Sequence, residues 1–287
     1  MSALAARMGK AVQFRAERPL TDDEIARVAP SVFANEPHAS RSARYAYIPT
    51  SKVLDGLRKE GFEPFMVAQG RCRVEGKEDF TKHMLRLRHA DQIAGSEANE
   101  IVLINSHDGT SSYQMLAGLL RFVCANGMVC GDILQDIRIK HTGDIVHEVI
   151  EGAHTVLDGF GLIRDVTEEM KSIRLLPAEQ GVLANAALVA RYEDRNLPRP
   201  IEVGDVLRAR RWEDRDDSLW ATFNRIQENI IRGGVQGRNA QGRRMTTRPV
   251  QAIDSDVKIN RALWTLAQGM AEIKSGRAEA TPEIELA

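Results

Sequence analysis

Cysteine is scarce in this chain: Cys72, Cys124 and Cys130 are the only three in 287 residues. That odd, small number excludes a disulfide-stapled scaffold, and reduced thiols in a cytoplasm are the expectation. No charge of either sign is in excess, with 39 basic against 40 acidic residues and a formal net charge of −1. An all-over basic coat for nucleic acid is thereby excluded, and any electrostatic function must come from local asymmetry. No stretch approaches the roughly 18 uninterrupted apolar residues of a membrane span, and the first residues, Met1 to Arg18, mix charges into short apolar runs unlike a signal peptide. We read a soluble, cytoplasmic protein. The 43% hydrophobic content excludes disorder as a whole-chain description and suffices for a sizeable core.

What is present changes along the chain. Thr21-Asp22-Asp23-Glu24 fits a capping box, and Ile25, Val28, Ala29 and Val32 follow at helical spacing. From Arg44 to Lys140 a period of two dominates, apart from a helix over 51–60 closed by Gly61. Three of the expected strands carry basic residues on one face. Phe65, Val67, Gln69, Arg71 and Arg73 share a face, as do Lys82, Met84, Arg86 and Arg88, while Arg138 and Lys140 oppose Ile137 and Ile139. The run Glu100 to Asn105 is a strand, and a hairpin to the apolar segment from Tyr113 is expected. Gly127 either turns a hairpin or caps a helix through Leu119, Leu120 and Phe122, and we favour the helix.

Beyond Thr142-Gly143 the period lengthens. A long helix through Ile145, Val149, Val156, Phe160 and Ile163 is expected, then helices over 178–192, 217–231 and 255–273. Between the last two lies a stretch from Arg232 to Arg248 with five arginines and no acidic residue. The expected fold is α+β, an antiparallel sheet in the N-terminal half backed by helices, with a helical C-terminal half. The expected organisation is a helical segment over 1–37, one composite domain over 38–275 that is sheet-rich to 142 and helical beyond, and a tail over 276–287.

Several ordered segments together resemble the phage/plasmid-like protein family, domain of unknown function 932: Arg44-Tyr45-Ala46-Tyr47-Ile48-Pro49-Thr50, Asn105-Ser106-His107-Asp108-Gly109, Arg121-Phe122-Val123-Cys124-Ala125-Asn126-Gly127 and His141-Thr142-Gly143. Asn224 through Gly234, Thr247-Arg248-Pro249-Val250 and Asn260-Arg261-Ala262-Leu263-Trp264 continue the pattern. The resemblance implies a bacterial mobile genetic element and carries no settled activity.

Function is therefore read from chemistry. A half-buried antiparallel sheet can leave one face to track phosphates, which makes Arg71, Arg73, Lys82, Arg86, Arg88, Arg138 and Lys140 the first candidates. The bland alternative is a solvated strand face. In the second candidate, Arg232, Arg238, Arg243, Arg244 and Arg248, glycines let backbone N–H groups approach an anion and guanidinium groups bind phosphate bidentately. The alternative is a surface loop paired with Asp214, Asp216 and Asp217. Tyr45 and Tyr47 are candidate stacking residues, or core aromatics.

No Gly-Lys-Ser/Thr follows the glycines and no strand precedes them as in a dinucleotide fingerprint, so no cofactor is expected. His147, Glu151 and His154 share a helix face without an evident fourth metal ligand, and His107-Asp108 beside Ser106, Ser111 and Ser112 lacks a nucleophile elbow. The expected partner is single-stranded nucleic acid, bound in recombination or strand annealing by a protein more readily non-enzymatic than catalytic. A homo-oligomer is left open and a membrane is not expected. The competing reading is a non-enzymatic phage or plasmid protein that binds a host or phage protein through its helical half and the acidic run Glu213 to Asp217.

Overall fold

The computed structural model describes residues 12–40, 47, 49–72, 76–89, 91, 93–94, 97–111, 113–122, 126–130, 137–139, 145–192 and 199–277. These divide into two compact units, one of residues 1–161 and 251–258, the other of residues 162–250 and 259–287. The fold is α+β, with the sheet in the first unit and helices making up most of the second. No helix among the described residues is long and apolar enough to cross a membrane.

The first unit is built on one antiparallel sheet. Its strands are β1 (Val12–Arg15), β2 (Phe62–Gln69), β3 (His83–His89), β4 (Ile93–Ala94), β5 (Glu97–Asn105), β6 (Tyr113–Arg121), β7 (Asn126–Val129) and β8 (Ile137–Ile139). The order β1-β2-β3-β5-β6-β7 forms the main path, with β4 on β5 and β8 on β6. Two helices, α1 (Asp22–Val28) and α2 (Thr50–Lys59), come before β2. The capping box is present: Thr21 Oγ1 accepts from the Glu24 backbone at 3.3 Å, and the Glu24 carboxylate accepts from the Thr21 backbone at 3.0 Å. Gly61, at φ +85°, ends α2 as a left-handed residue.

Two expectations are corrected here. The N-terminal segment is not only helical, because β1 pairs with β2 along the register Val12 to Gln69 and Arg15 to Met66. Tyr113–Arg121 is a strand and not a helix. Arg121 stands opposite Asn126, so the chain reverses between them and Gly127 lies within a strand. A strand buried on both faces reads as a continuous apolar run, which period alone does not separate from a buried helix.

That double burial is general in this sheet. One face sets Val67, Leu85, Leu87, Ile101, Leu103 and Met115 toward α2 and α3 (Ile145–Asp158), whose Val53, Leu54, Leu57, Val149, Ala153 and Val156 are buried. The other sets Met66, Ala68, Met84, Val102, Ile104, Leu116 and Val129 under Ile253 and Val257, at the start of α8 (Ile253–Lys274). Cys130 is a buried thiol in no disulfide, and burial raises its pKa.

The second unit takes most of α4 (Phe160–Ser172), then α5 (Pro177–Tyr192), α6 (Val203–Val206), α7 (Leu219–Ile231), a two-stranded ribbon of β9 (Gln236–Arg238) and β10 (Arg244–Thr246), and α8 beyond Lys258. The expected single long helix from Ile145 is two, α3 and α4, interrupted at Gly159. Helix α7 is buried along nearly its whole length, stacking Phe223 on Trp220 and setting it edge-on to Trp264 of α8. Its N-terminus is capped by Ser218, whose hydroxyl accepts from the Ala221 backbone at 3.1 Å.

Candidate nucleic-acid interface

The arginines of β3 are placed by their strand on the face covered by α8. Arg86 is 1% exposed and Arg88 3%. Both donate to one fully buried carboxylate: Arg86 Nη1 to Glu100 Oε2 at 3.1 Å, Arg88 Nε to Glu100 Oε1 at 2.9 Å. Arg86 also donates to the Met128 carbonyl at 3.0 Å and lies 3.6 Å from Asp256 Oδ2. Gly127 makes room for it, since a Cβ there would sit 2.7 Å from Arg86 Nη1. The Arg88 guanidinium stands 4.2 Å from the centre of the Phe65 ring. Half-buried Arg15 is held down, at about 10, by desolvation, against the attraction of Glu100.

The expectation of a solvated basic face on this strand is therefore corrected. Arg86 and Arg88 are neutralised, internal and out of reach of a phosphate backbone. The physical cause is Glu100, one strand away in β5, on a face that the start of α8 covers.

The other sheet candidates are scattered. Arg71 is exposed beside a cavity of about 620 Å³ that Lys82, Asp108 and Asp254 also line. Lys82 is ion-paired with Asp254 at 2.7 Å. Arg138 lies on β8 opposite Gln114. Arg73, Lys140 and Tyr45 lie outside the described residues. Tyr47 is not a solvent-facing platform: it is half-buried, its hydroxyl donates to the Ala34 carbonyl, and its ring meets His107 edge-on with centroids 5.0 Å apart.

The residues weighed for hydrolysis or metal binding go elsewhere. Asp108 accepts from the Thr110 hydroxyl at 2.6 Å, and Ser106 Oγ accepts from the Ser111 backbone at 2.9 Å, so both serve a turn. His107 is buried beside His83, the centroids 5.3 Å apart, and Thr50 Oγ1 lies within 2.9 Å of His83 Nε2. Burial and the neighbouring His107 hold His83 down, at about 3. His147 faces Glu151 at 3.3 Å whereas His154 faces Glu60 at 3.5 Å, so these three do not converge. Among the described residues, no group of three His, Cys, Asp or Glu could hold a metal ion.

The arginine-rich stretch of the second unit is a β-hairpin, and sequence dictates its geometry. Gly233 and Gly234, at φ +66° and +77°, turn the chain out of α7. A Cβ at Gly233 would approach the Arg248 carbonyl carbon to 2.6 Å, so the hairpin's stem closes only over glycine. Arg238 pairs with Arg244 and Gln236 with Thr246. In the connecting loop Asn239 Oδ1 accepts from the backbones of Gln241 at 3.0 Å and Arg243 at 2.9 Å, and Gly242 has φ +74°. The Arg238 backbone donates to the Pro200 carbonyl at 2.8 Å, seating the hairpin on residues 199–201. That seat requires Gly237, whose Cβ would come within 2.0 Å of the same oxygen.

The result is an exposed cationic finger. Arg238, Arg243, Arg244 and Arg248 are exposed, and none has a carboxylate partner among the described residues. Arg238 donates to the Gly242 carbonyl at 2.8 Å within its own loop. Arg232, also exposed, is tied to Glu228 at 3.2 Å. Arg199, which sequence reasoning did not single out, joins Arg238 and Arg244 around a groove of about 810 Å³. Its guanidinium donates to Asn185 at 2.8 Å. The acids lining that groove are Glu202 and Asp205, and Asp205 already accepts from the Glu202 backbone at 3.0 Å. Of the predicted site residues, the structure thus gathers the hairpin arginines on one exposed ribbon, buries Arg86 and Arg88 together on Glu100, and leaves Arg71 and Lys82 beside a separate cavity.

The family model described as "Domain of unknown function (DUF932)" matches residues 37–264, most of the chain, and the chain belongs to that family. Among curated proteins it is similar to UPF0380 protein YafZ of Escherichia coli K12, 51% identical over 270 residues covering 94% of this chain and 98% of the relative. It is likewise similar to UPF0380 protein YfjQ of the same organism, 50% identical over 268 residues covering 93% and 97%. No solved structure matches this chain.

Proposed function

We propose that the protein binds nucleic acid through its phosphate backbone, using the hairpin of residues 232–248. The observation that supports this reading most is the set of four exposed guanidinium groups, Arg238, Arg243, Arg244 and Arg248, with no carboxylate partner among the described residues, on a segment without acidic residues. Like charges so close repel one another and favour a polyanion that neutralises them together, releasing its counterions. Phosphate is the fitting chemistry, because a guanidinium fork matches two of its oxygens and the hairpin spaces several forks along one ribbon. The sheet arginines expected to share this work are left out of the reading, since Glu100 holds the buried pair. In a phage or plasmid setting, binding of this kind suits recombination or strand annealing without nucleotide hydrolysis.

The test is fluorescence anisotropy of a labelled oligonucleotide with nuclease-treated protein. The variant Arg243→Ala/Arg244→Ala/Arg248→Ala removes three exposed side chains that have no ion pair among the described residues. Binding by the natural protein and its loss in this variant, with an unchanged circular dichroism spectrum, is the expected result. Equal affinity of the two proteins would remove the hairpin from the interface.

A further inference from the structure

We infer that Trp212 is a base-stacking platform beside the hairpin, and that it makes the interface prefer single strands over duplex. The inference rests on the nucleic-acid reading above and adds the residue that sets strand specificity.

Trp212 is 77% exposed, more than any other exposed large hydrophobic among the described residues. Its position gives that exposure meaning. The loop that carries it is fastened to the residues from which the hairpin departs. Arg210 Nε donates to Asn229 Oδ1 at 2.7 Å, and Arg210 Nη2 donates to the Gly233 carbonyl at 2.5 Å. Arg211 pairs with Glu228, the same carboxylate that holds Arg232. Asn229 Nδ2 in turn donates to the carbonyls of Val206 at 2.7 Å and Arg208 at 3.0 Å. The two residues before Trp212 are thus fastened at the base of the hairpin, although about twenty residues of sequence separate them from it.

A cation also stands at the ring, within an otherwise acidic run. The Arg215 guanidinium lies over one face of the ring, 5.4 Å from its centre, so a base would stack on the opposite face. Of the acidic run 213–217, Asp214 is buried, Asp216 pairs with Arg174 and Asp217 accepts from Gln180 at 3.1 Å. Glu213, Asp216 and Asp217 are the exposed carboxylates of that run. A duplex keeps its bases stacked on one another and presents phosphates alone, whereas a single strand offers π-faces to an open indole. The hairpin arginines serve either form, and the indole serves only the second.

The other two tryptophans, Trp220 at 5% and Trp264 at 0% exposure, are buried against Phe223, so quenching of tryptophan fluorescence by a bound base reports on Trp212. The experiment titrates full-length protein with a thymidine oligonucleotide and with a duplex of equal length, reading intrinsic fluorescence and anisotropy. Trp212→Ala, Trp212→Phe and Arg243→Ala/Arg244→Ala are compared with the natural protein. The single strand quenches the natural protein and the duplex does not. Trp212→Ala weakens single-strand binding by about 5- to 150-fold, leaves duplex binding and the salt slope unchanged, and Trp212→Phe restores most of the loss. The arginine variant instead weakens both ligands and flattens the salt slope. Single-strand affinity unchanged in Trp212→Ala, or equal losses for both ligands, would overturn the stacking role while leaving the hairpin reading in place. A natural protein that binds neither ligand at low salt would overturn both.

Discussion

Replacing Glu100 with Gln strands two guanidinium groups inside the sheet's covered face. Arg86 and Arg88 share that carboxylate at 3.1 and 2.9 Å, with side chains 2% and Glu100 0% exposed, so water cannot take over the lost interaction. Another acid nearby, Asp256, lies 3.6 Å from Arg86. Breaking a buried pair by removing one partner costs about 3–5 kcal/mol, because the surviving charge stays desolvated. Set against a typical stability of roughly 5–15 kcal/mol, that is a large fraction, and it corresponds to a fall in Tm of order 10 °C. Urea unfolding followed by far-ultraviolet circular dichroism measures it. The companion variant Arg86→Met/Arg88→Leu/Glu100→Leu removes all three charges at similar volume and is expected to stay within about 2 kcal/mol of the natural protein. A loss below about 1 kcal/mol in Glu100→Gln would refute the reasoning, since it would mean that water or a rearranged partner reaches the site.

Two further outcomes follow from the same physical chemistry. His83, held at about 3 by burial and by His107, is neutral in the fold but takes up a proton near 6.5 when unfolded. Its folded pKa is the lower one, so its stabilising contribution is complete above about 6.5 and is lost as pH falls, the loss reaching about 2 kcal/mol at pH 5. His83→Gln removes this slope, and a natural protein whose stability did not change between pH 8 and pH 5 would contradict the burial of a neutral imidazole. Gly237→Ala drives a methyl against the Pro200 carbonyl, 2.0 Å from its ideal position. Unseating the hairpin in this way costs about 1–3 kcal/mol, and hydrogen exchange should show the Arg238 amide losing its protection.

Much of this architecture was legible because local chemistry agreed with it. The capping box at Thr21, the Gly61 stop after α2 and the 3.6 period of the C-terminal helices are short-range signals, and their elements stand within a few residues of expectation. The Arg232–Arg248 stretch was legible from composition alone, since no acid interrupts it. Long-range pairing was not legible. Nothing near Arg86 or Arg88 in sequence shows that Glu100 will face them across β5, nor that α8 will cover that face from about 150 residues further on. An alternation of Arg with Leu and Met describes a solvated face and a buried ion-pair face equally well. Leu116, Leu119 and Leu120 satisfied helical spacing and strand burial alike, and only the register with β5 decides between them. Arg199 was missed for a similar reason: it meets the hairpin through the backbone contact between Pro200 and Arg238.

The central claim, binding of a polyanion by a cluster of exposed arginines, is tested most directly by the salt dependence of affinity for a single-stranded oligonucleotide. Four neutralised phosphates predict a slope of log K against log salt concentration of about −3, and Arg243→Ala/Arg244→Ala should flatten it by about 1.4. A slope near zero, or one that the arginine variant leaves unchanged, would contradict the account.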